Sequence, residues 1–170
     1  MRTALTALAL LTCSCQRDLD ASDLGRLTEF WGCCHSWFAG WSDDGDLVFS
    51  VDMPAVDEPG EYLEQFGDSA VVGILRSGKN FGDGVRPLDT GQVFHENSVT
   101  REKLSIVSGS ATIKRTPWDS WYGEGQPGCN GLDVLDLILT ELVFESEDGL
   151  RSFNVDSFEF PPLCVGWMPM

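Results

Sequence analysis

The segment VLDLILTELVFESEDGLRSFNVDSFEF, residues 134–160, decides the fold class of this chain. Two apolar runs flank the polar sequence SEDG, in which Asp148-Gly149 supplies the positive φ of a β-hairpin turn. In the returning run the alternation of apolar residues slips by one position near Asp156-Ser157, which predicts a β-bulge or a strand break. Residues 133–139 lack clean alternation, so a short helix is the alternative to a strand there. The hairpin favours an antiparallel β protein.

Upstream segments repeat this two-residue period. Residues 46–53 (DLVFSVDM) follow the turn sequence SDDGD and predict a half-buried strand, and residues 69–75 (SAVVGIL) predict a buried one. Residues 103–116 predict two short strands that meet at Gly109. Residues 76–91, which are rich in glycine and contain a proline, predict a long loop.

Short strands separated by Gly, Pro and Asp turns predict an all-β fold over residues 29–170. We expect a single antiparallel β-sandwich, or a partly open barrel, with disulfides and one short helix. The order of a Pro-Gly turn at Pro59-Gly60-Glu61-Tyr62, a strand at residues 109–113 and a closing hairpin resembles that of small exported β-sandwich lipoproteins of unknown function. That resemblance implies a fold and no particular activity.

The N-terminal segment predicts export. Arg2 precedes an apolar stretch at residues 4–11, which is far shorter than the roughly 20 residues of a membrane-spanning helix. A single positive charge followed by a short apolar stretch is typical of a signal peptide, here residues 1–14.

The end of this segment, Leu11-Thr12-Cys13-Ser14-Cys15, resembles the lipobox of bacterial lipoproteins. The resemblance implies that Cys15 is acylated, becomes the mature N-terminus and anchors the protein in the membrane, with Cys13 as the alternative. Gln16 after Cys15 implies the outer membrane, and a soluble periplasmic or secreted protein is the other interpretation. The polar residues 15–28 are expected to be the anchor and a tether or a single helical turn.

Four cysteines remain, and in an exported domain they predict disulfides. They are Cys33, Cys34, Cys129 and Cys164. A bond between the two neighbours is disfavoured, because adjacent side chains on a strand point to opposite faces. The two other pairings both connect the N-terminal pair to the two downstream cysteines, and both stay open. The nearby tryptophans are expected to pack in the core around these bonds: Trp31, Trp37, Trp41 and Trp167.

The charge of the chain excludes one class of partner. Acidic residues outnumber basic ones 27 to 11, for a net charge of −16, and such a surface repels nucleic acid. The acidic run at Asp43, Asp44 and Asp46 does not continue into a calcium-binding loop, so it predicts a solvated turn. We predict neither a bound metal nor a cofactor.

Few residues suggest chemistry. The two histidines, His35 and His95, have no serine in a nucleophile-elbow motif, so no catalytic residue is predicted. The Gly- and Pro-rich residues 116–131 contain aromatic side chains suited to a glycan or protein ligand: Trp118, Trp121 and Tyr122.

We therefore expect a cell-envelope lipoprotein that is a structural or ligand-binding module rather than an enzyme. The alternatives are an envelope hydrolase that uses carboxylates and a glycan-binding module that uses the loop tryptophans. An enzyme requires a concave pocket with a carboxylate or histidine of shifted pKa, whereas a binding module requires an exposed aromatic patch. The sequence sets neither the ligand nor the oligomeric state.

Overall fold

The computed structural model describes residues 18–33, 37–67, 71–81, 98–117 and 133–164, with Cys33 described by its backbone only. The described residues form one 3₁₀ helix, Ala21–Arg26, and one eight-stranded sheet. The strands are β1 (Leu27–Cys33), β2 (Trp37–Ser42), β3 (Leu47–Asp52), β4 (Gly60–Gln65), β5 (Val72–Lys79), β6 (Val99–Thr116), β7 (Val134–Ser146) and β8 (Ser152–Cys164).

Every paired strand in this sheet is antiparallel, in the order β1-β2-β3-β5-β6-β7-β8. The long strand β6 serves two neighbours along one edge. Its first half pairs with β5, and its second half pairs with β4. The backbone N–H of Phe66, just after β4, donates to the carbonyl of Gly109 at 2.9 Å, where β6 passes from one neighbour to the other.

The sheet curls until its two edge strands meet. The ring of Phe30 on β1 packs edge-on against Phe160 on β8, with centroids 5.9 Å apart. A Cβ at Gly32 would lie 2.8 Å from a methyl carbon of Leu163, so the two strands approach closely there. No hydrogen-bonded ladder joins β1 to β8 among the described residues, and the architecture is one open, curled antiparallel sheet.

The concave face of this sheet holds the main core. At its centre Phe49 is fully buried and contacts the rings of Phe144, Phe158 and Phe160, with centroids 5.3–5.7 Å apart. Truncation of such a side chain to alanine costs about 3–5 kcal/mol, because it removes apolar contacts and leaves a cavity.

In the long strands β7 and β8, the alternation of buried and exposed side chains shifts by one residue, and it does so at paired positions of the two strands. Buried positions on β7 step from Leu139 to Leu142, and Glu141 between them has a φ of 54°. Their partners on β8 are Phe158 and Val155, so the change of phase in β8 matches the one in β7. The register is continuous here, so the bulge or break expected in this part of β8 is wrong. The sheet bends instead, and both halves turn apolar side chains inward.

Gly109 is the matching position on β6. Its φ is 127°, and a Cβ there would lie 2.9 Å from the carbonyl oxygens of Thr140 and Glu141. The register of β6 against β7 shifts between Ile106 and Ser108 and again between Ser108 and Ser110, the step that spans Gly109. The prediction of two strands that meet at Gly109 is therefore corrected to one strand bent at a glycine, because backbone pairing continues through the bend.

Residues 18–28, within the predicted tether, pack against the sheet. Leu19 and Leu24 are buried in the main core. The 3₁₀ helix has a reciprocal capping box, in which the Asp20 backbone N–H donates to Asp23 and the Ser22 N–H donates to Asp20. A capping box satisfies the free N–H groups of a helix start. These residues belong to the folded unit.

The all-β, antiparallel prediction is confirmed, and residues 133–139 are strand apart from Asp133. The described strands form one sheet, and two stacked sheets are not seen in the parts of the chain that the structure describes. The predicted loop at 76–91 is wrong at its start, because β5 continues to Lys79. Its later part, from residue 82, lies outside the described residues.

Candidate functional site

The convex face of β1, β2 and β3 is aromatic. Phe38 on β2 points into the main core, so its neighbours Trp37 and Ala39 point to the other face, as does Trp41. On β1, Trp31 pairs with Ala39 and therefore shares that convex face. We call the set of Trp31, Trp37 and Trp41 the outer aromatic face.

A small second core lies beneath these rings. Ala39, Val48 and Phe81 are at most 1% exposed and form a cluster separate from the main core, with Trp37 and Trp41 packed against it. The three tryptophans of β1 and β2 are each half-buried. Trp37 and Trp41 therefore pack on this second core and not in the main one. The sequence does not distinguish the two, because β2 is apolar on both faces and alternation alone does not indicate which face points inward.

A recess opens at one end of the outer aromatic face. Its volume is about 330 Å³, within the range of small-ligand sites. Aromatic and acidic side chains line it together with the β2–β3 turn: Glu29, Trp41, Ser42, Asp43, Asp44, Gly45 and Phe81. Glu29 pairs across the ladder with Trp41, so β1 and β2 bring a carboxylate and an indole together.

Local hydrogen bonds fix the turn at the rim of the recess. The Ser42 hydroxyl donates to Asp44 Oδ1 at 2.5 Å and accepts from the backbone N–H of Leu47 at 3.1 Å. Gly45 has a φ of 65°, and its carbonyl accepts from the Phe81 N–H at 2.7 Å. The turn thereby holds Phe81 against the second core, where it forms part of the lining.

Arg26 forms ion pairs with the same turn. Its Nη2 lies 3.0 Å from Asp44 Oδ2 and 2.8 Å from Asp46 Oδ1, and its Nη1 lies 3.2 Å from Asp23. The Asp43 carboxylate accepts a short hydrogen bond from the Thr28 hydroxyl. The acidic run is thus an ordered turn tied to the 3₁₀ helix by a guanidinium group.

The carboxylates of this turn differ in acidity. The hydrogen bond from Ser42, with further help from Asp46 and Arg26, lowers the pKa of Asp44 to about 2. Partial burial and the nearby Asp44 raise the pKa of Asp46. Asp44 is therefore ionised at every physiological pH and serves as a permanent anion at the rim.

Most of the residues singled out by the sequence lie outside the described residues. These are Cys13, Cys15, Cys34, His35, His95, Trp118, Trp121, Tyr122, Cys129 and Trp167. Cys164 ends β8 opposite Val134. Cys33 ends β1, paired with Trp37.

The recess was not predicted from the sequence. A prediction would have required the pairing of Glu29 with Trp41. That pairing depends on the register of β1 on β2, which the sequence of either strand alone does not indicate. Among the described residues, no group of three or more His, Cys, Asp and Glu side chains is arranged to hold a metal ion. The described residues also include no helix with the length and apolar character needed to span a bilayer.

The fold and site define a class by their geometry: an all-β protein on an open curled sheet, with an aromatic convex face that ends in an acidic recess. Comparisons of this chain with protein-family models, with curated proteins and with solved structures found no match.

Proposed function

We propose that this protein is a ligand-binding module of the bacterial cell envelope, anchored in the outer membrane through an acylated Cys15. The export-type N-terminus and its lipobox-like end support the location. The outer aromatic face and its recess support the binding role, and no catalytic step is part of the proposal.

The observation that carries the binding role is the position of the three tryptophans. Trp31, Trp37 and Trp41 lie on the convex face, away from the main core, and each remains partly exposed. Partly accessible aromatic rings gathered on one face support an interaction site, because a partner can cover the ring surface that remains in contact with water. The adjacent recess adds polar groups that orient a ligand.

A hydrolase is the second candidate, and one observation favours it. Asp44 and Asp46 are neighbouring carboxylates whose pKa values shift in opposite directions, as in acid–base pairs of glycosidases. However, both carboxylates bind the same nitrogen of Arg26, and this ion pairing holds them in the turn. A binding role uses the whole face, whereas the hydrolase uses only its rim.

Disulfides between Cys33, Cys34, Cys129 and Cys164 are part of the proposal. Cys33 and Cys164 end the two edge strands, β1 and β8, that come together where the sheet curls. Cross-links at this position would hold the open edges together. Mass spectrometry of the mature protein, with and without reductant, gives the acylated residue and the pairing. An unmodified mature protein with free thiols at Cys33 and Cys34 would refute both parts.

Binding is tested with two soluble probes, hexalysine and chitohexaose, followed by tryptophan fluorescence and calorimetry. We expect one probe to bind and the Trp41→Leu variant to lose at least about fivefold in affinity. The matched control is Leu63→Ala, which changes an exposed apolar residue on β4. Binding of neither probe would overturn the ligand-binding role, and cleavage of chitohexaose would establish the hydrolase instead.

A further inference from the structure

We infer that the outer aromatic face binds an extended, basic polypeptide segment, with one lysine or arginine side chain in the recess beside Trp41 and another beside Trp37. This inference rests on the proposed binding role and specifies the ligand class. Its basis is the arrangement of carboxylates around the two tryptophans of β2.

The recess end of the face is negatively charged. Glu29, Asp43 and Asp44 line the recess together with Trp41. Only Asp44 of these three forms an ion pair with a cation of the described chain. A cation bound there gains from the ring face of the indole and from two carboxylates, Glu29 and Asp43, that form no ion pair with a described cation.

The other end of β2 repeats this combination. Trp37 pairs across the ladder with Asp52, which is exposed on the same face. Each of the two tryptophans therefore has at least one carboxylate next to it. A neutral ligand could only donate hydrogen bonds to these carboxylates, whereas a ligand with two separated cations would gain charge-assisted hydrogen bonds at both ends.

The β2–β3 turn already binds one guanidinium group of the protein itself. Asp44 and Asp46 both bind Nη2 of Arg26, at 3.0 and 2.8 Å. Carboxylates that bridge one guanidinium in this way are ordered before a ligand arrives. Because these side chains are already ordered, less conformational entropy is lost when a ligand binds.

The spacing of the two tryptophans matches an extended chain. Trp37 and Trp41 are four residues apart on one strand, so their Cα atoms are separated by about 13 Å at about 3.3 Å per residue. An extended peptide places side chains of positions i and i+4 on one face with the same separation. Two basic residues with three between them therefore match both ends of β2.

Two basic groups of the protein border this face. Arg26 binds the turn at Asp44 and Asp46, and Arg76 on β5 donates from Nη1 to the Ser50 hydroxyl on β3 at 3.4 Å. Their position limits the basic ligand to the β1–β2 side of the face. The remaining surface is dominated by acidic groups, consistent with the net charge of −16.

The test compares hexalysine with its fully side-chain-acetylated form on the intact protein by calorimetry. We expect hexalysine to bind, the acetylated peptide to bind at least about tenfold more weakly, and binding to weaken as salt rises from 0.05 to 0.5 M, since exposed charges are screened. The variants Glu29→Gln and Asp52→Asn should each weaken hexalysine about threefold or more. Both residues are exposed, so the fold should tolerate these changes.

Glu61→Gln is the matched control, because Glu61 is an exposed acid on β4, far from β2 in the sheet order. Equal losses at Glu61 and Glu29 would show attraction by net charge alone and would overturn the inference. Equal binding of the acetylated peptide would also overturn it. Binding of chitohexaose without hexalysine would refute the basic ligand while leaving the binding role intact, and binding of neither would refute both.

Discussion

The β2–β3 turn at residues 42–47 and the β7–β8 turn at residues 146–151 have the same internal hydrogen bonds. In each, a serine hydroxyl donates to the aspartate two residues later, at 2.5 and 2.6 Å, and accepts from the N–H five residues later, at 3.1 Å. In each, a glycine with a φ of 65° or 69° donates to the serine carbonyl at 2.9 Å.

Their surroundings differ. The first turn contacts Arg26 on one side and Phe81 on the other, and it forms the rim of the recess. In the second, residues 147–150 are exposed, with Leu150 at 82%, and only Arg151 at its end forms an ion pair, with Asp18. The short pattern Ser-acid-Asp-Gly therefore determines the conformation of the turn. Residues distant in the sequence, Arg26 and Phe81, make the first of the two turns part of the recess.

The largest expected difference between the turns concerns their glycines. A Cβ at Gly45 would lie 2.4 Å from the Phe81 carbonyl oxygen, whereas one at Gly149 would approach only the end of the Glu145 side chain, at 3.3 Å. We expect Gly45→Ala to lower the free energy of unfolding by about 2–4 kcal/mol and Gly149→Ala by about 1 kcal/mol. Urea denaturation measures both. Equal losses would mean that Phe81 does not restrict the first turn.

The serines are expected to differ less. Ser42 is 3% exposed, and its removal leaves the buried Leu47 N–H without an acceptor. Ser42→Ala should therefore cost about 1–3 kcal/mol, and Ser146→Ala, in the more exposed turn, about 0.5–1 kcal/mol. Thermal unfolding of the two variants gives the comparison, and a larger loss at Ser146 would contradict it.

Arg26 is specific to the first turn. Its side chain is 41% exposed, so we expect Arg26→Gln to cost only about 1 kcal/mol, with a smaller difference at high salt. Arg101→Gln, an exposed arginine on β6, serves as the control and should change stability little. A salt-independent loss would show that Arg26 acts through packing of its aliphatic stem.

The smallest expected effect of the two serine substitutions is on the pKa values of the turn aspartates. The folded-state pKa of Asp44, about 2, lies below its usual value of 3.8. The ionised carboxylate therefore contributes stability above pH 3.8, and this contribution is lost as the pH falls toward 2. NMR titration should show the pKa of Asp44 rise toward its usual value in Ser42→Ala. The pKa of Asp148, lowered by its hydrogen bond to Ser146, should rise in Ser146→Ala. An unchanged pKa in either variant would contradict the assigned cause.

Alternation predicts β3 as a half-buried strand, because Leu47, Phe49 and Val51 alternate with shorter or polar residues. The strand is confirmed, but Val48 and Ser50 on its other face are buried as well, so the expectation that it is half-buried is wrong. The end of β5 was missed because Gly78 suggested a loop. In the structure a Cβ at Gly78 would lie 1.9 Å from the Val99 carbonyl oxygen, so the strand itself requires a glycine. Close approach of two backbones is a tertiary property that local patterns do not carry.

The candidate site was less predictable than the fold. The sequence identified the acidic turn at Asp43, Asp44 and Asp46, but as a solvated turn without a ligand. The role of Trp41 depends on Glu29 beside it and Phe81 beneath it, both distant in the sequence. Tryptophans near cysteines suggested core packing, and only the curl of the sheet determines which face of β2 is outside.

The packing of residues 18–26 has a consequence for how the protein would sit on a membrane. Asp18 forms an ion pair with Arg151 beside one hairpin turn, and Arg26 binds the other turn. If Cys15 carries the acyl chains, only Gln16 and Arg17 separate it from Asp18, a reach of about 10 Å. The folded domain would then begin almost directly at its anchor, so that residues 18–26, which pack on the sheet, and not a long tether would set its distance from the bilayer.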